Sequence, residues 1–205
     1  MPRLGQMNTS DSHITIYPVV LKVPEEKKML TGKEKVRFLS AHARVALRRS
    51  AARLGVDLPT LEKEENGAPV PSAGMYWSIS HKSRYVAAVA APQPVGIDIE
   101  QIRPVRDGMA ERIAAPEEWS LFRGRDQRLA FFRCWTAKEA VLKAETIGIA
   151  GLSDCRVVSV DGSNRLSVLY RERTWRVDFR MDDEHLTAVA GTGLVLSWIG
   201  PQQGS

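Results

Sequence analysis

Two long stretches with helical spacing stand far apart in the chain, each followed by runs of strand-type residues, and this repeated order most narrows the folds open to it. Between Thr31 and Leu54, the residues Val36, Leu39, Ala43, Leu47 and Leu54 fall on one helical stripe, and Gly55 ends the pattern. Thr31 with Glu34 three residues on has the form of a capping box. "QRLAFFRCWTAKEAVLKAE" is the second long helix, ending by Gly148, and "APEEWSLF" before it opens with the Pro and acids of a first helical turn. The first helix is followed by "MYWSIS" and "RYVAAVAA", joined by a short turn around His81 to Ser83, and then by "VGIDI". The second is followed by "CRVVSV", "LSVLY", "TWRVDFR" and "HLTAVAG", divided by turn residues such as "DGSN". "ITIYPVVLKVP" reads as a strand that Pro18 keeps at an edge or breaks, and "LEKEENGAPVPSAG" as a loop. "RYVAAVAA" and "HLTAVAGT" are similarly built, as the corresponding strands of two related halves would be.

At 205 residues and 43% hydrophobic content the chain suffices for one substantial domain or two small halves. It has no apolar run of the roughly 18 residues a membrane span needs, and "MPRLGQMNTSDSH" lacks the apolar core of a signal peptide. The reading is a cytoplasmic protein with no membrane partner. Cys134 and Cys155 are too few and too far apart for a disulfide framework or a zinc site, so buried free thiols are expected. The formal charge of +5 points to an anionic partner: nucleic acid, a phosphate-rich small molecule or an acidic protein.

"VGIDIE" places Asp98 and Glu100 two residues apart, on one face of a strand otherwise built from Ile97 and Ile99. Two carboxylates side by side suit a hard cation such as magnesium, or a strand end where both face water. In "WTAKEAVLKA", Trp135, Glu139 and Lys143 recur every four residues and share a helix face, while Lys138 points about a quarter-turn away. The Glu139 and Lys143 spacing is equally that of an ordinary surface pair. Ser80 and His81 sit at a strand end entering a turn, within reach of a ligand or in a structural role. Arg37, Arg44 and Arg48 line another face of the first helix and would grip phosphates if that face is not simply solvated.

The order "SISH", then "VGIDIEQI", then about forty residues later "WTAKEAVLKA" resembles the 4′-phosphopantetheinyl transferase superfamily in its longer, surfactin-type (Sfp-like) branch. The likeness rests on the paired patterns G-[IV]-D-I-E and [FW]-x-x-K-E-[AS]-x-x-K, and runs from about residue 36 to 148, more weakly beyond. It implies an α+β fold of two similar halves in pseudo-two-fold arrangement, with the active site at their interface. The halves would be residues 13–95 and 96–200, the second carrying the metal and catalytic motifs, between disordered ends at 1–12 and 201–205. It also implies an enzyme that moves the phosphopantetheine arm of coenzyme A onto a serine of an acyl or peptidyl carrier protein, releasing adenosine 3′,5′-bisphosphate. Asp98, Glu100 and Glu139 resemble the ligands of magnesium, with manganese as the alternative ion. Glu139 is the first choice of base, Glu118 resembles a further acid near the site, and Lys143 and Lys138 would stabilise charge on the phosphates. Ser80 and His81 match a phosphate-contacting position, with Arg44 and Arg48 as clamps from the basic helix. The carrier would be acidic, nucleic acid is not an expected partner, and a monomer is expected because the shorter branch trimerises where the longer one holds two units.

One departure bears on nucleotide binding. Where the family often reads G-K-P before "SxSH", this chain reads "GAP", so Ala68 stands in place of a phosphate-touching lysine and Lys63, Lys82 or an arginine would have to replace it. Two other functions use the same residues: a magnesium-dependent phosphohydrolase with water as nucleophile, and a basic binding module that leaves the acids idle.

Overall fold

The computed structural model describes residues 14–201, so the expectations for residues 1–12 and 202–205 lie outside the described residues. In chain order its elements are β1 (Ile14–Ile16), β2 (Val19–Lys22), α1 (Gly32–Arg53), β3 (Tyr76–His81), β4 (Tyr85–Ala91), β5 (Gly96–Gln101), α2 (Met109–Ile113), α3 (Pro116–Ser120), α4 (Gln127–Ala144), β6 (Cys155–Asp161), β7 (Arg165–Tyr170), β8 (Arg173–Asp182), β9 (His185–Gly191) and β10 (Leu194–Leu196). Three sheets form: β2-β4-β3, β5-β9-β8-β7-β6, and the parallel pair of β1 with β10. The fold is α+β, in two halves.

In the first half, α1 buries Leu39, Ala43, Ala46, Leu47 and Ala51 against the antiparallel sheet, where Val86, Ala88 and Ala90 of β4 face it. Thr31 does cap this helix in position, but its side chain makes no capping bond. Gly32, the first helical residue, has φ +53°, so the chain enters α1 through a left-handed residue and the expected capping box does not close.

In the second half, α4 lies on the five-stranded sheet with Ala137, Ala140, Val141 and Ala144 among its buried residues, opposite Leu186, Ala188 and Ala190 of β9. Cys134 and Cys155 are buried and free, and burial pushes both thiols up to about 12. β4 and β9, the two similar segments of sequence, are thus the corresponding strands, each buried along its whole length with one face to its helix. Their other faces meet between the sheets, where Ala87, Val89, Ile97, Ile99 and Val189 form a third apolar cluster. That cluster fixes one half on the other.

Candidate functional site

The halves meet along β3 and β5, which belong to different sheets. No backbone ladder joins them; serine hydroxyls do. Ser78 Oγ accepts the amide N–H of Ile97 at 3.1 Å, and Ser80 Oγ that of Ile99 at 3.3 Å, so two buried donors of a sheet edge are satisfied. Having accepted from Ile99, the Ser80 hydroxyl turns its own proton to Asp98 Oδ1, at 2.8 Å. Because Ile97 and Ile99 face the apolar cluster, Gly96, Asp98 and Glu100 must face the other way, toward α4. Gly96 permits the approach: a Cβ there would overlap the carbonyl oxygen of Ala140.

α4 answers with the face carrying Trp135, Glu139 and Lys143. Lys143 Nζ is 2.6 Å from Asp98 Oδ1, and the indole N–H of Trp135 donates to Glu100 Oε1 at 3.0 Å. Lys82, from the turn after β3, places its Nζ 2.8 Å from that same Glu100 oxygen. Asp98 Oδ2 is buried without a hydrogen-bond partner among the described residues. Burial, then the charge of Asp98, pushes the Glu139 carboxyl above its ordinary value; Lys143 opposes this and Glu100 adds to it. Burial, then Lys143 and Lys82, holds His81 below the usual imidazole value. Asp98, Glu100, Glu139, His81, Lys82 and Lys143 all line one open cleft of about 390 Å³.

The donor set fits a divalent cation. Three hard carboxylates converge on the cleft, one buried oxygen has no partner, and Glu139 resists ionisation beside its neighbours. As placed, no three acidic, histidine or cysteine side chains among the described residues form a group ready to hold a metal, and two lysines supply the counter-charge.

Two expected site residues lie elsewhere. Lys138 Nζ is 2.7 Å from Glu118 Oε1 and donates to the carbonyl of Ile113 at 2.8 Å. Glu118 also accepts the amide N–H of Val157 at 2.7 Å and of Ala115 at 2.9 Å. Both side chains are nearly fully buried and spend their polar atoms on each other and on backbone, so neither reaches the cleft. The cause is helical spacing: one residue before Glu139 is a hundred degrees round α4, facing α3 and β6. Ser80 lines the cleft, but its hydroxyl is committed to Asp98 and Ile99.

Arg44 and Arg48 line a groove of about 870 Å³ along the outer face of α1, with Lys33 and Arg37. Ser40 borders both this groove and the acid cleft. Lys63, bridged across to Pro69, lines the cleft and the adjoining hollow that holds Ala68. Desolvation, then the charges of Arg44 and Lys143, lowers its pKa. The sequence points to Lys82 only as one candidate replacement for the lysine that Ala68 displaces; nothing in "SISHKS" pairs it with Glu100.

Comparisons with known proteins cover most of the described chain. The model of the 4′-phosphopantetheinyl transferase N-terminal domain matches residues 26–91, and that of the 4′-phosphopantetheinyl transferase superfamily matches residues 94–190. The chain is 34% identical over 105 residues to the 4′-phosphopantetheinyl transferase HetI of Nostoc, covering 46% of this chain and 44% of that one. It is 30% identical over 112 residues to Sfp of Bacillus subtilis (51% and 49%), and 34% over 115 residues to AcpT of Salmonella typhimurium (52% and 57%). The chain spans about half the length of the relatives it matches.

Proposed function

Because the chain belongs to the 4′-phosphopantetheinyl transferase superfamily, we propose that it transfers the phosphopantetheine arm of coenzyme A to a serine of an acyl or peptidyl carrier protein. The observation that carries this reading is the convergence of Asp98, Glu100 and Glu139 with Lys82 and Lys143 in one cleft at the junction of the halves. Acids alone would suit a metal and cations alone an anion; together they suit a metal-bound phosphoanhydride.

Asp98, Glu100 and Glu139 would hold magnesium, or manganese, whose charge offsets that of the pyrophosphate when bound. Glu139, lining the cleft with Asp98 and Lys143, would receive the proton of the attacking hydroxyl. The serine oxygen forms its bond to the β-phosphorus, the bond to the bridging oxygen breaks, and adenosine 3′,5′-bisphosphate leaves with the electron pair. Lys143 stabilises charge on the phosphates from the rigid side of the cleft. Arg44, with Arg48 further along the groove, holds the nucleotide's remaining phosphate, and Lys63 takes the part of the lysine that Ala68 replaces. His81, neutral in the free protein, donates a hydrogen bond there.

The excess of positive charge suits an acidic carrier, drawn in electrostatically. Carriers of fatty acid, polyketide and nonribosomal peptide synthesis are the substrate class. One chain supplies both walls of the cleft, which supports a monomer, and a reaction that draws on coenzyme A and carrier proteins supports a cytoplasmic reading. No helix among the described residues is long and apolar enough to cross a membrane.

The test is intact mass spectrometry of apo acyl and peptidyl carrier proteins incubated with this protein, coenzyme A and magnesium. The carrier gains the mass of one phosphopantetheine arm, and Asp98→Ala or a chelator reduces the rate by at least about a hundredfold, the scale of losing an electrostatic stabiliser of the transition state. Phosphate released from coenzyme A with every carrier unmodified would instead favour a phosphohydrolase.

A further inference from the structure

Glu100 is nearly buried, and a buried carboxylate is costly unless a counter-charge, hydrogen bonds or a proton offsets it. Here that charge is the Lys82 ammonium, 2.8 Å from Oε1, which also accepts the Trp135 indole N–H. Lys143 does the same for Asp98 Oδ1, beside the Ser80 hydroxyl. The two lysines differ in what holds them. Lys143 rises from α4, which Ala140, Val141 and Ala144 fix to the core, with its side chain 30% exposed; Lys82 lies in the turn between β3 and β4, its side chain 37% exposed. Moving the Lys82 ammonium therefore asks nothing of the packing of α4.

The charges of the cleft add to its logic. Three carboxylates face three ammonium groups, those of Lys63, Lys82 and Lys143, and a dication added to all of them would turn the balance positive until an anion arrived. We propose that Lys82 is a place-holding cation: it neutralises Glu100 while no divalent ion is bound, and an entering ion displaces its ammonium, which then faces the phosphates of the nucleotide. This rests on the reading that Asp98, Glu100 and Glu139 hold a divalent ion. Metal and coenzyme A then bind with positive coupling, each tightening the other, because the ammonium the metal expels is the one the phosphates receive.

The experiment counts bound manganese(II) by loss of the free-ion electron paramagnetic resonance signal, without carrier and without turnover. In the wild-type protein, coenzyme A tightens manganese binding. Lys82→Met binds manganese about three- to tenfold more tightly without coenzyme A, the scale expected for removing one partly exposed ion pair and its repulsion, and the extra effect of coenzyme A shrinks. Lys82→Arg keeps the charge and behaves as wild type. Lys63→Met, which removes a cleft cation with no carboxylate partner among the described residues, changes manganese affinity by less than about twofold. Lys82→Met binding manganese no more tightly than wild type overturns the proposal while leaving the metal site standing. Manganese binding that is the same in wild type and Asp98→Asn overturns the metal reading, and the proposal with it.

Discussion

Glu139 shares its cleft with two other carboxylates and three ammonium groups, and burial with the charge of Asp98 keeps its carboxyl above the ordinary value. The folded chain therefore binds that proton more tightly than the unfolded chain, whose glutamate titrates at 4.5. Stability from this group is fully present below that value and is lost as pH rises through the raised one. Glu139→Gln, melted in the presence of a chelator, should thus be more stable than wild type at neutral pH, read as a higher melting temperature. The gain should vanish below about pH 4.5. Such a gain alongside lost activity is what a residue kept for chemistry shows. At this scale the sequence was most legible where periodicity speaks: alternation put Asp98 and Glu100 on one strand face, and four-residue steps put Glu139 and Lys143 on one helix face. It was least legible for partners. Nothing local says that Lys82 meets Glu100, or that Lys138, a quarter-turn from Glu139, turns away to Glu118, because both pairings join segments brought together only by the fold.

β5 and α4 lie so close that the strand begins with a residue lacking a side chain. A methyl group at Gly96 would meet backbone atoms of Ala140 and Ala144, which cannot turn aside as a side chain could. Gly96→Ala should cost about 3 kcal/mol, read as a lower urea midpoint at unchanged slope, the range of overpacked cores. It should also cost activity, because the shift separates Asp98 from Lys143 and Glu139. The first long helix could be read from its apolar stripe, although Val36, assigned to that stripe, is exposed in the outer groove, and β4 and β9 from their β-branched and alanine-rich runs. The capping box at Thr31 was misread because Gly32 takes a left-handed conformation that no pattern of residue types reveals. β10 was missed for a different reason: three residues carry no usable period, and its partner β1 is far away in sequence.

Two helix-on-sheet layers share the cluster of Ala87, Val89, Ile97, Ile99 and Val189, so neither half buries its own apolar surface alone. The whole protein should accordingly unfold in one transition, with tryptophan fluorescence and far-ultraviolet circular dichroism giving the same urea midpoint; two separated midpoints would mean that the halves fold independently. The likeness of the halves was visible in the echo of "RYVAAVAA" and "HLTAVAGT", but the surface by which they pack was not, since an apolar strand face looks the same whether it meets a helix or another sheet. The serine-bridged seam between β3 and β5 has one more consequence. Each is the edge of its own sheet, and each shields the other's open ladder from neighbouring molecules. Opening that seam would bare two templates for strand addition at once, so a damaged chain is expected to fail by intermolecular β-aggregation rather than by quietly releasing one half.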